Sequence, residues 1–77
     1  MRPTIYSVRA DWDEAAGVWV AISDEVLGLA IEALTLEALV EKLRVMIPEL
    51  LEANRAFTDA RRKEISFELV GHWLEHL

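Results

Sequence analysis

The residues with the greatest chemical capacity are the carboxylates gathered near two turn-like segments, Asp11, Asp13 and Glu14 at the first and Asp24 and Glu25 at the second. Paired carboxylates can hold divalent cations for two-metal phosphoryl hydrolysis, which requires them to converge from rigid elements. Asp13, Glu14, Asp24 and Glu25 fall in segments that read as turns, where acidic residues serve local hydrogen bonding and solubility, and only Asp11 projects from within a strand. Glu37 and Glu41 fall on the polar side of a helix. No catalytic site is expected. His72 and His76 would share one face of a helix, but on a strand their spacing separates them by about 13 Å, and no third ligand accompanies them. With no Cys, no Ser in a recognisable elbow and the Gly residues scattered through turns, neither a nucleophile nor a phosphate cradle is expected, and the reading carries no metal and no cofactor.

The elements that would position these groups are legible from periodicity. Residues 4–12 alternate as a strand, with Tyr6, Val8, Ala10 and Trp12 on one face and Ser7, Arg9 and Asp11 on the other, where Ile5 also falls. Asp13 to Gly17 supplies a hairpin turn, with Gly17 suited to a positive φ, and a second strand follows over 18–23. It sets Val18, Val20 and Ile22 on one face and Trp19 and Ala21 on the other, and the reading places Trp19 on the side of the sheet that no helix covers. Asp24 to Gly28 turns into a short third strand over 29–33. Thr35 is suited to cap a helix, with Glu37 near its positive end and Ala38 where a capping box would need Glu or Gln.

Leu36, Leu39, Val40, Leu43, Met46, Ile47, Leu50 and Leu51 recur at three- and four-residue steps and make an apolar stripe that reads as core. Pro48 removes a bond to the carbonyl of Arg44, which predicts a kink or a break. Residues 54–62 are read as the end of the helix and a turn, and Ile65, Phe67 and Leu69 as a final strand, with Gly71 a place for a bulge or bend. The tail over 72–77 is read as continuing that strand, with Trp73 on the Ile65 face, a helical turn being the alternative. The sum is an α+β two-layer sandwich, β-β-β-α-β. A helix that reverses the chain after the third strand makes the fourth parallel to the first, giving the order 3-2-1-4.

At 77 residues the chain suits a single domain spanning 1–77. Such a domain buries only about 60% of the surface of its unfolded chain. Cys is absent, so self-association becomes a source of further burial, and a homodimer is expected. The net charge of −6 argues against direct binding of nucleic acid, because phosphate contacts need Lys and Arg. The one dense basic run, Arg61-Arg62-Lys63, lies between Asp59 and Glu64 and reads as a solvated loop. No apolar run approaches the roughly 20 residues of a membrane span, and Met1-Arg2-Pro3-Thr4 leads directly into a strand, so a cytoplasmic location and no membrane association are expected.

The hairpin W-D-x-x-x-G-V-W-V-A from Trp12 to Ala21, the D-x-x-x-G from Asp24 to Gly28 and the T-L-E-A from Thr35 to Ala38 resemble the N-terminal domain of HicB-type antitoxins and a related family of small uncharacterised bacterial HicB-like proteins. Many antitoxins have Pro before the Gly of the second turn, Thr shortly after it and Gly before the helix cap. Leu27, Ile31 and Ala33 stand here instead, which aligns the chain with the small relatives. The resemblance implies a partial ribonuclease-H-like fold and a non-catalytic protein-interaction module that neutralises a HicA-like mRNA-cleaving toxin by occlusion. A structural or homo-oligomeric assembly domain without a toxin partner is the alternative. The partner-binding residues expected on the uncovered face are Arg9, Asp11, Trp19 and Ala21, with Trp19 either anchoring a partner or packing over Arg9 or Ala21 within its own sheet.

Overall fold

A computed structural model describes residues 4–54 and 65–77. Its elements are β1 (Thr4–Asp13), β2 (Val18–Ile22), β3 (Ala30–Ala33), α1 (Leu36–Ala53) and β4 (Ile65–His72). The strands form one sheet in the order β3-β2-β1-β4. β1 is antiparallel to β2 and parallel to β4, and β2 is antiparallel to β3. The fold is therefore the α+β, β-β-β-α-β arrangement that the sequence pattern predicts. The expected end of the helix and turn over residues 55–62, and with it the Arg61-Arg62-Lys63 run, lies outside the described residues.

The first hairpin turns where Gly17 adopts φ 70°, a region open to glycine without steric cost. The Gly17 N–H donates to the Asp13 carbonyl at 2.7 Å, and the Ala16 N–H donates to Asp13 Oδ1 at 3.1 Å. This turn makes Asp13 oppose Val18, Trp12 oppose Trp19 and Ala10 oppose Ala21. Residues directly opposite each other in an antiparallel pair share a face, so even positions of β1 align with odd positions of β2.

That register corrects the expected assignment of faces. Trp19 and Ala21 lie with Val8, Ala10 and Trp12 on the side that α1 covers, and Val18, Val20 and Ile22 lie with Arg9, Asp11 and Asp13 on the uncovered side. Ala10 and Ala21 are fully buried, and Ile22 is 45% exposed. Small side chains let the helix come close, and the β-branched residues that look like core are those left outside.

α1 begins where the Thr35 side chain accepts from the Ala38 N–H at 3.0 Å, the predicted cap. Its stripe buries Leu39, Leu43, Ile47 and Leu51 against Val8, Ala10, Ala21, Val26, Leu29 and Ala33. Full burial of a Leu or Ile side chain is worth about 1.5–3 kcal/mol. Pro48 does not break the helix, which runs unbroken from Leu36 to Ala53. The missing bond and ring clash cost about 3 kcal/mol, and the buried stripe, continuing through Ile47 and Leu51 on both sides of Pro48, offsets it. At the far end the Asn54 N–H donates to the Leu50 carbonyl at 2.9 Å, and Asn54 Nδ2 donates to the Leu27 carbonyl at 3.1 Å. These contacts fasten the helix end to the second turn.

β3 is shorter than expected and starts at Ala30, because Leu29 still belongs to the turn, its N–H donating to the Val26 carbonyl at 3.2 Å. In β4 the ladder with β1 runs without interruption from Thr4 and Ile65 to Asp11 and His72, so Gly71 makes no bulge. Residues 73–77 form neither the expected strand nor a helical turn. Leu43→Ala should lower unfolding stability by about 3 kcal/mol through loss of buried contacts and the cavity left behind. Thr35→Ala should lower it by about 1 kcal/mol. Urea denaturation followed by circular dichroism measures both, and the order of the two losses is the check.

Candidate protein-interaction surface

The face opposite α1 mixes charge with exposed apolar groups. Ile5 and Val70 are 58% and 56% exposed; Val70 and Ile22 are the register partners of Arg9 on β4 and β2, and Arg9 Nε donates to Asp11 Oδ1 at 2.8 Å. His72 Nδ1 lies 3.8 Å from the same Asp11 oxygen, placed there by the pairing of Asp11 with His72 across β1 and β4. Val20 and Glu32 complete this row toward β3. The exposed Arg9–Asp11 pair adds little stability in water. Its effect is to tether the guanidinium to β1, where Ile22 and Val70 are the register partners of Arg9.

Next to this face is a shallow depression of about 230 Å³ lined by Ser7, Arg9, Ile22, Ser23, Asp24 and Glu25. Two of its polar side chains, Ser23 and Glu25, are committed to the backbone. Ser23 Oγ donates to the Ser7 carbonyl at 2.7 Å and accepts from the Glu25 and Val26 N–H groups at 3.1 and 3.2 Å. Glu25 Oε1 accepts from the Ser7 N–H at 2.7 Å. Two side chains thus take over where the β1–β2 ladder ends at Arg9 and Ile22. The hydroxyl proton of Ser23 is used in that staple, which leaves the group unsuited to nucleophilic attack.

The structure separates the carboxylates that could have made a metal site. Asp11 lies in β1, Asp13 closes the hairpin, and Glu25 staples Ser7. Among the described residues no group of three or more His, Cys, Asp or Glu side chains is placed to hold a metal ion. His72 ends β4, whereas His76 lies in the irregular tail. Among the described residues no helix is long and apolar enough to cross a membrane.

Of the expected partner-binding residues, the structure brings Arg9 and Asp11 together on the uncovered face and puts Trp19 and Ala21 on the other. Trp19 packs instead into an aromatic cluster at one end of the helix side. Trp12 and Trp73 stack at 4.6 Å with planes 10° apart, and Trp19 meets Trp12 edge-on at 5.5 Å and Trp73 at 5.7 Å. Trp19 extends across β1 toward Gly71, where an added Cβ would lie 3.9 Å from the indole. The stacking places Trp73 on the Ile65 face, as expected. Ile5, Ile22 and Val70, absent from the expected site, are exposed apolar members of the uncovered face, beside the half-buried Val18 and Val20. The hairpin itself carries the signal for Ile22, because a loop from Asp13 to Val18 puts Arg9 opposite Ile22.

A family profile described as a domain of unknown function, DUF1902, matches residues 5–75. Among solved structures, the hypothetical protein TTHA1013 from the extremely thermophilic bacterium Thermus thermophilus is 47% identical, with a TM-score of 0.72, and the match covers 96% of this chain and 97% of that one. No curated protein matches the chain. Because Trp19 packs within its own chain, Trp19→Ala should destabilise the fold by about 3 kcal/mol. In a urea titration the loss should appear in the unfolding midpoint; an unchanged midpoint would return Trp19 to the role of an interface anchor.

Proposed function

For a chain that belongs to the DUF1902 family of domains of unknown function, we propose a role as a non-catalytic protein-interaction module that works by covering a partner. The observation that carries this reading is the one-sided cover of the sheet. α1 shields one face, and the other presents Ile22 and Val70 to solvent at 45% and 56% exposure on either side of Arg9, with Ile5, 58% exposed, further along β1 on the same face. Exposed apolar groups ringed by charge are the pattern of a surface that a partner desolvates.

The partner class follows from the resemblance of Trp12 to Ala21, Asp24 to Gly28 and Thr35 to Ala38 to HicB-type antitoxins. It is a HicA-like mRNA-cleaving toxin, whose RNA site must be basic to bind phosphate. A chain of net charge −6 complements such a surface. Asp11, Asp13, Glu32 and Glu68 on the uncovered face place carboxylates there, against Arg9 and His72. The domain acts by stoichiometric occlusion in the cytoplasm. Arg9 and Asp11 remain partner-binding residues in this reading, while Ile5, Ile22 and Val70 replace Trp19 and Ala21. A second reading, a homo-oligomeric assembly domain without a toxin partner, draws support from the outer edge of β4, with which no described strand pairs.

Titration of a purified HicA-like ribonuclease with this domain, reading cleavage of an mRNA substrate, separates the two. Occlusion predicts that cleavage falls linearly to an equivalence point, and that Ile22→Lys weakens the inhibition by roughly ten-fold while leaving the unfolding midpoint unchanged. Cleavage that persists in the presence of excess domain would reject the antitoxin reading and leave the assembly reading.

A further inference from the structure

No described strand pairs with the outer edge of β4, and its backbone groups can be assigned one by one. Ser7 directs its N–H to Glu25 and its carbonyl to Ser23, both on the β2 side of β1. Backbone groups of successive residues in an extended strand point to opposite sides, so Tyr6, Val8 and Ala10 direct theirs toward β4. In a parallel ladder these groups meet the residues that flank their register partners. Tyr6 pairs with Phe67, Val8 with Leu69 and Ala10 with Gly71. Ser66, Glu68, Val70 and His72 therefore bond inward, and Phe67, Leu69 and Gly71 turn their N–H and carbonyl groups outward.

This edge is built to be paired. It runs for eight residues without Pro or bulge, and Glu68 is the single carboxylate on it, whereas edges meant to stay free are short, kinked or heavily charged. α1 lies nearest β2 and β3, and among the described residues no strand pairs with the outer margin of β4. Phe67 and Leu69 are half-buried there, and Val70 is 56% exposed.

We propose that the occupant is a second copy of this chain, paired antiparallel along β4 about a two-fold axis at Val70, so that each copy adds four strands to one continuous sheet. A two-fold axis perpendicular to the sheet must pass a residue that faces itself. At Glu68 it would set like charges directly opposite. At Leu69 it would place Glu68 against Val70 and His72 against Ser66. At Val70 each Glu68 carboxylate meets the imidazole of the other copy's His72, Leu69 meets Gly71, and Val70 meets Val70. The charged side chains are then complementary in both halves. The net charge of −6 per copy opposes association at long range, but the edge itself contributes one carboxylate and one imidazole.

Because the chain has no Cys, single-cysteine variants of the full chain report the register directly. Val70→Cys should form an interchain disulfide rapidly under mild oxidation, since opposed residues whose backbone groups point away from each other have Cα atoms about 4.5 Å apart, within disulfide reach. Glu68→Cys mixed with His72→Cys should form the mixed disulfide, and Glu68→Cys alone should not cross-link. Light scattering of the unmodified chain should give the mass of two copies, and Val70→Lys should raise the dimer dissociation constant at least about ten-fold with an unchanged circular dichroism spectrum. A monomer mass at every concentration, or faster cross-linking through Glu68→Cys or Leu69→Cys than through Val70→Cys, would overturn the proposal. Neither measurement involves a toxin, so this result stands apart from the proposed function.

Discussion

The alignment of Trp12 with Trp19 across the first hairpin is the constraint from which the rest of the structure follows. A strand shows opposite faces at successive residues, so shifting this pairing by one position would exchange everything β2 presents inside and outside. With the observed register, Ala10 and Ala21 lie side by side beneath α1, and their small side chains let Leu39, Leu43 and Ile47 close over the sheet. The same register turns Val20 and Ile22 outward beside Asp11 and Arg9. Core and uncovered surface are therefore set by one turn, closed by Gly17 and by two bonds to Asp13.

A second constraint lies at the opposite end of the hairpin. β1 is ten residues long and β2 only five, so part of β1 extends past the end of its partner. Ser23 and Glu25 replace the missing strand, supplying a donor and an acceptor to the backbone of Ser7. This staple also fixes the start of the second turn, because Ser23 accepts from both Glu25 and Val26 and so draws Val26 into the core. Carboxylates that a sequence reader weighs as metal ligands here complete backbone hydrogen bonding.

Much of the fold is legible in the sequence, for identifiable reasons. The three- and four-residue spacing from Leu36 to Leu51 marks a helix with one buried face, and Thr35 marks its start. Reversal of direction through that helix places β4 parallel to β1. The side of β2 that faces the helix is easily misread, because β-branched Val18, Val20 and Ile22 resemble core more than Trp19 and Ala21 do. Local hydrophobicity is a poor guide there, and loop length is a better one. Of the kink or break that Pro48 predicts, the break does not occur, since the local cost of Pro48 is visible in sequence and the tertiary burial on both sides of it is not. Of the candidate surface, Arg9 and Asp11 are recognisable from strand alternation. Val70 is not, because a Val beside Leu69 reads as core, and its pairing with Arg9 is what places it on the uncovered face.

The meeting of Trp12, Trp19 and Trp73 at one corner has a spectroscopic consequence. They are the three indoles of the chain, with ring centres 4.6 to 5.7 Å apart, close enough for their excited states to couple. Ultraviolet emission thus reports on a single neighbourhood, where the C-terminal tail lies against the hairpin. The far end of α1 near Leu27 and Asn54 contains no indole and could loosen without a change in that light, while release of Trp73 alone would register as a large signal from a protein whose core is intact.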